Sequence, residues 1–149
     1  MRIPPLVLLV FWAVYMRFLH WADNGSLDFR FRGQTWIAAA ILLVGMTVAG
    51  AGVLTFHRAS TTVDPLRPER ASRLVTNGIY RYTRNPMYLG MTLALLAWAI
   101  YLGSSLVFLA LLAFPVCLTH FQIVPEEEVL LKKFGGAFQR YQQQVRRWL

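Results

Sequence analysis

The chain has 149 residues, 56% of them hydrophobic, with a mean hydropathy of +0.44 and a formal net charge of +8. This apolar share exceeds the roughly 45–50% of an ordinary soluble domain and is gathered into three blocks separated by arginine-rich segments, which excludes a water-soluble globule and points to one membrane domain. The single Cys117 excludes a disulfide framework; with no basic patch interleaved with exposed aromatics on a soluble module, the positive charge reads as membrane orientation and headgroup contact, not nucleic-acid binding.

The first apolar block, residues 3–22, follows Arg2 as a secretory signal would. It ends in Arg17, His20, Trp21, Ala22 and Asp23 instead of a small-residue cleavage site, so it is read as a retained helix whose Arg17 and His20 snorkel to an interface. The second block gives a span over 35–57, in which Gly45 and Ala49 stand four apart, with Gly50 and Gly52 following. Small residues so spaced let backbones approach, which favours packing inside a bundle; an opening for substrate is the alternative.

A linker over 58–86 carries Pro65 and Pro68, which disfavour continuous helix, and Asn77-Gly78, which suits a tight turn. Either a short hairpin pairing Arg73-Leu74-Val75 with Ile79-Tyr80-Arg81 or an irregular cap over the bundle is compatible. The apolar run from Met87 to Val124 is too long for one span and is punctuated by Gly103-Ser104-Ser105. It folds back as a hairpin with spans over 87–102 and 105–124.

The expected architecture is therefore all-α: a polytopic membrane bundle of about four transmembrane helices with a C-terminal amphipathic helical tail over 125–149. Four spans put both termini and the linker on one side, with most of the arginines and lysines; the other side has Arg30 and Arg32. The positive-inside bias places the first side in the cytoplasm. Within the tail, Pro125 suits a first helical turn and Glu126, Glu127 and Glu128 a helix N-terminus. Leu130, Phe134, Ala137, Phe138, Tyr141 and Val145 recur at helical intervals around Gly135-Gly136, which gives two short amphipathic helices on or beneath the membrane domain.

Polar chemistry concentrates where the linker meets the third span, in Arg84-Asn85-Pro86-Met87-Tyr88. Proline restricts Asn85 and can begin the helix at once, so this corner suits a nucleoside edge or an anion, or else a plain helix cap with an interfacial tyrosine. Glu126–Glu128 are either solvated partners of the helix dipole or, if the hairpin brings them to Tyr88, carboxylates for a ligand bearing positive charge. His20, His57 and His120 show no metal-ligand spacing, and no metal site is expected. Phosphate-loop and nucleophile-elbow motifs are missing, which removes kinase and hydrolase readings.

Together these residues resemble the isoprenylcysteine carboxyl methyltransferases and the related phospholipid methyltransferases, small integral membrane enzymes that use S-adenosylmethionine. The resemblance runs from about Pro65 to Trp148. Its marks are Leu74-Val75-Thr76-Asn77-Gly78-Ile79-Tyr80, then Arg84-Asn85-Pro86-Met87-Tyr88-Leu89-Gly90, then Glu126-Glu127 followed by Phe134-Gly135, Tyr141 and Val145-Arg146-Arg147-Trp148. It implies that Ser72, Arg73, Leu74, Val75 and Tyr80 line the cofactor pocket, that Asn85, Pro86, Met87 and Tyr88 form its second wall, and that Glu126 reaches the cofactor from the tail. It names no catalytic residue.

Two positions depart from the pattern. Eukaryotic members typically carry histidine where this chain has Asn85, which keeps hydrogen bonding but removes a titratable ring. Carboxylate-methylating members place an arginine shortly before the acidic pair; the nearest position here is Gln122, assigned to the substrate side, with His120 nearby. The implied partner is a lipophilic or lipidated acceptor within the membrane, either isoprenylcysteine-carboxylate-like or lipid-like. Two other readings are an NADPH-dependent sterol-type reductase, with Arg67, Arg70, Arg73, Arg81 and Arg84 for phosphates, and a small non-enzymatic membrane protein.

Overall fold

The computed structural model describes residues 4–58 and 74–149, and among them every regular element is helical. The chain runs through α1 (Pro5–Ala22), α2 (Gln34–Arg58), a 3-10 turn (Gly78–Arg81), α3 (Pro86–Leu102), α4 (Ser105–Leu118), a π-helical turn (Thr119–Ile123), α5 (Val124–Phe134) and α6 (Gly136–Gln144). Three helical stretches are long and apolar enough to cross a membrane: Pro5–Ala22, Gln34–Arg58 and the continuous Ser105–Phe134. Pro86–Leu102 is apolar but shorter, and at 17 residues it measures about 25 Å. It lies between α2 on one side and α1 and α4 on the other, so protein covers much of its length.

Small residues set the α2–α3 contact. The buried residues of α2 are Ala38, Gly45 and Gly52, seven apart, and they turn one narrow face to α3. A Cβ added at Gly90 would stand 2.5 Å from the Gly45 carbonyl oxygen and 2.7 Å from the Ala49 Cβ, so the backbones meet where no side chain fits. Gly52 meets Pro86 in the same way, with 3.1 Å left for a Cβ. Packing is thus the role of this stripe. Away from it, Leu43, Met46, Leu109, Leu112 and Val116 are exposed, the outward apolar surface of a helix bundle in lipid.

On the other flank, Met16, Leu95, Ala99, Val107, Phe114 and Leu118 form the main core. Two indoles tie α1 in place: Trp12 Nε1 donates to the Ala110 carbonyl at 2.8 Å and Trp98 Nε1 to the Ala13 carbonyl at 3.1 Å. The α3–α4 reversal uses Gly103 at φ +67°, a left-handed position where a Cβ would meet the Phe29 carbonyl oxygen at 2.6 Å. Phe29 N–H donates to the Gly103 carbonyl there, at 2.7 Å.

Two expectations are corrected. The tail does not begin as a separate helix after the fourth span: α4 runs without a break through the π turn into α5. Pro115 and Pro125 flank the π turn; each removes a backbone donor, and the widened turn absorbs the disturbance that would otherwise end the helix. In the linker, residues 78–81 form a 3-10 turn, so the Ile79–Arg81 half of the hairpin is not a strand. Arg73, in its other half, lies outside the described residues.

Candidate active site

The site is built at the N-terminus of α3. Pro86 occupies the first helical position, its fixed φ suited to a helix start, and Asn85 before it lies outside helical geometry at φ −131°, ψ 56°. The Asn85 side chain does not cap the helix. Its Nδ2 donates to the Arg147 carbonyl at 3.0 Å, while Arg84 N–H donates to the Arg146 carbonyl at 3.1 Å. Buried Thr83 adds its hydroxyl to the same Arg147 carbonyl at 3.4 Å and accepts from Asn85 N–H at 3.2 Å. The last residues of the tail are thereby laid along the corner.

Side chains from α3, α5 and the tail meet there. Tyr88 Oη donates to Glu126 Oε1 at 2.5 Å. Beside it, Glu127 holds two cations: Arg84 Nη2 lies 3.0 Å from its Oε1, and Arg147 Nη2 lies 2.7 Å from its Oε2 with Nε at 3.2 Å from Oε1. The Arg84 and Glu127 side chains are only 11% and 13% exposed, so their pairing is shielded from water. Burial draws the Arg84 pKa down while Glu127 opposes it; the hydrogen bonds that Arg147 donates to Glu127 raise the Arg147 pKa. Both guanidiniums stay charged.

An apolar cluster braces this junction from below. Val75, Tyr80, Phe138, Tyr141 and Val145 are buried together, with Phe56, Leu74, Leu130 and Phe134 against them. The α6 positions expected from the helical period are those that turn inward, while Ala137 is exposed. Tyr141 Oη donates to the Tyr80 carbonyl at 2.7 Å, and Tyr80 meets Phe56 edge-on at 5.1 Å. Burial pushes both phenol pKa values up, with Tyr141 and Glu126 adding to the effect at Tyr80. Both hydroxyls are neutral at physiological pH. The Tyr80 Oη and the Arg84 Nε are buried with no hydrogen-bond partner among the described residues.

The expected site residues separate into groups. Tyr88 and Glu126 touch, and Asn85 and Pro86 stand at the same corner, with Met87 and Pro86 against Gly52 of α2. Leu74, Val75 and Tyr80 belong to the apolar cluster, with the Tyr80 hydroxyl its polar end. Gln122 is 2% exposed on the π turn, and His120, on the same turn, is exposed. Ser72 and Arg73, like Arg67 and Arg70, lie outside the described residues.

The acidic run is not a free helix start, because α5 continues the helix before it, and Glu126 and Glu127 have specific partners. Arg84 and Glu127 are the residues whose part was not foreseen. The available signal was an acidic pair facing an arginine beside the Asn-Pro corner, one hairpin away. Among the described residues, no group of three or more histidine, cysteine, aspartate or glutamate side chains could hold a metal ion.

The sequence that builds this site is similar to known proteins. The family model for phospholipid methyltransferase matches residues 34–137, which take in α2, α3, α4, the π turn and α5. The chain belongs to the phospholipid methyltransferase family. A probable protein-S-isoprenylcysteine O-methyltransferase from Oryza sativa subsp. indica is 29% identical over 117 residues, covering 74% of this chain and 58% of that protein. The protein-S-isoprenylcysteine O-methyltransferase of Schizosaccharomyces pombe is 26% identical over 122 residues, 80% of this chain and 50% of its own length. An uncharacterized Haemophilus influenzae protein is 49% identical over 63 residues, 42% of this chain and all of that protein. The chain thus spans between half and three-fifths of the two methyltransferases it resembles. Family membership and the apolar helices together make it an integral membrane protein of the methyltransferase type.

Proposed function

We propose that this chain is an S-adenosylmethionine-dependent methyltransferase acting on a lipophilic acceptor, with its donor site at the junction of the Arg84–Tyr88 corner, Glu126 and the C-terminal tail. The observation that carries the reading is the Tyr88–Glu126 contact at the start of α3, beside the shielded Arg84–Glu127 pair and its second cation Arg147. The donor set fits such a cofactor. A carboxylate suits an ammonium group, neutral phenols suit a nucleoside edge, and the buried Tyr80 hydroxyl is a polar atom still to be satisfied.

When bound, S-adenosylmethionine supplies an activated methyl group on a sulfonium. Glu126 would hold the donor's ammonium, with Tyr88 fixing the carboxylate by its hydrogen bond. Asn85 and the Tyr80 hydroxyl would meet the nucleoside, and the tail strapped over Thr83–Asn85 would keep water out. Glu127 would play a different part: it is committed to two arginines and positions Arg84 and the tail. Gln122, buried on the π turn of the helix that carries Glu126, would meet the acceptor. The proposed topology puts residues 58–86 and 125–149 in the cytoplasm, where they would meet a water-soluble donor, while the acceptor enters from the bilayer.

Incubation of the purified chain with methyl-labelled S-adenosylmethionine and a membrane lipid extract tests this. Label should appear in a lipid-soluble product and depend on the acceptor's apolar tail. Transfer to soluble acceptors alone would refute the division of access, and binding of NADPH in place of S-adenosylhomocysteine would move the chain to the reductase reading.

A further inference from the structure

At the opposite end of α3 from Tyr88, the ends of α1, α2 and α3 enclose a cavity of about 660 Å³. Arg17, His20, Arg30, Gln34, Trp98 and Tyr101 line it, and no carboxylate does. Arg17 stands five residues before the end of α1, inside an otherwise apolar span, where a charge is costly unless it reaches water or an anion. Among the described residues neither Arg17 nor Arg30 pairs with a carboxylate. The nearby acids are engaged elsewhere: Asp28 lies 3.3 Å from His20 Nδ1, and Asp23 Oδ2 accepts from Leu27 N–H at 2.9 Å.

A second groove, of about 570 Å³, shares Arg17 and Trp98 with the first and continues along α1 past Val14, Ala13 and Val10. From Arg17 to Val10 it follows about 10 Å of helix toward the middle of the span. Its remaining walls, Phe18 and Trp21, are apolar or interfacial in character. Free phosphate would leave this groove unused, and a plain hydrocarbon would leave the arginines without a partner.

We propose that the two grooves form one site for an anionic glycerophospholipid, its phosphate between Arg17 and Arg30 and an acyl chain along the Val10–Val14 face. This lipid is not the methyl acceptor. Trp98 and Tyr101 lie ten and thirteen residues along α3 from Tyr88, roughly 15–20 Å at the helical rise. The site stands or falls independently of the methyl-transfer reading.

The test is native mass spectrometry of the full chain in dodecylmaltoside, titrated with dioleoylphosphatidylglycerol, dioleoylglycerol or inorganic phosphate. One phosphatidylglycerol per chain should be retained under activation that strips the others, with neither dioleoylglycerol nor phosphate matching it. The Arg17→Gln, Arg30→Gln double variant should bind on the order of tenfold more weakly, two surface cations having been removed. Val14→Trp, at an exposed position in the groove, should weaken binding with both arginines intact. Equal retention by the double variant, or equal binding of dioleoylglycerol or phosphate by the wild type, overturns the proposal. Should the double variant fail to fold, Arg30→Gln alone, in the loop, must lower affinity severalfold; an unchanged affinity also overturns it.

Discussion

The α2–α3 seam and the polar junction at the start of α3 join helices by opposite means. At the seam, Gly45, Ala49 and Gly90 bring backbones together with nothing between them, and the contact is dispersion at close range. At the junction, the Glu127 carboxylate and the Arg84 guanidinium are held away from water, each dependent on the other for its presence there, with the partly exposed Arg147 paired to the same carboxylate. A seam of small residues fails when something is added. A shielded charge cluster fails when something is taken away.

That contrast can be broken most severely at Glu127. Glu127→Ala leaves Arg84 buried with no counter-charge and releases the tail; thermal unfolding in detergent should show a loss of about 3 kcal/mol. Next comes Gly90→Ala, which adds one methyl where a backbone oxygen and the Ala49 Cβ already stand too close, and should cost about 2 kcal/mol in the same measurement. Gly50→Ala sharpens the comparison. Nothing lies within 4 Å of its added Cβ, so it should be neutral or stabilising by up to about 1 kcal/mol.

Smaller than the Glu127 and Gly90 effects is Tyr141→Phe, which removes the bond to the Tyr80 carbonyl and should cost about 1 kcal/mol. It also carries a pH signature. Burial raises the Tyr80 and Tyr141 pKa values above the ordinary value of about 10, so above that pH the folded chain keeps protons that the unfolded chain gives up. Stability that is whole below pH 10 therefore falls as the pH rises further, and the fall should be shallower in Tyr141→Phe.

Much of this was legible in the residues. The apolar blocks, the reversal at Gly103, the small-residue stripe of α2 and the inward face of α6 follow from length, hydropathy and spacing, because each rests on local geometry. The meeting of Tyr88 with Glu126 was an inference from the hairpin, since α3 and α4 antiparallel to one another bring their outer ends to one face. Pro125 does stand in the first turn of α5, but the π turn that joins it to α4 leaves no local pattern, because a proline at a first helical turn and a proline just after a π turn look alike in sequence. Neither sequence reading of the acidic run, helix-dipole partner or ligand carboxylate, gives Glu127 its two arginines, because they come from distant points in the chain and pairing over such separations leaves no local periodicity. The far-end cavity was invisible for the same reason: it exists only once three helix ends are assembled.

The account's central claim is that the Arg84–Tyr88 corner, Glu126 and the tail enclose a donor site. Isothermal titration of the purified chain with S-adenosylhomocysteine, wild type against Glu126→Gln, tests it most directly. One site in the wild type and a loss of roughly ten- to a hundredfold in the variant, at unchanged melting temperature, is the expected result, as fits removal of a charge-assisted contact. Equal affinity in the two proteins, or no binding by a folded wild type, would contradict it.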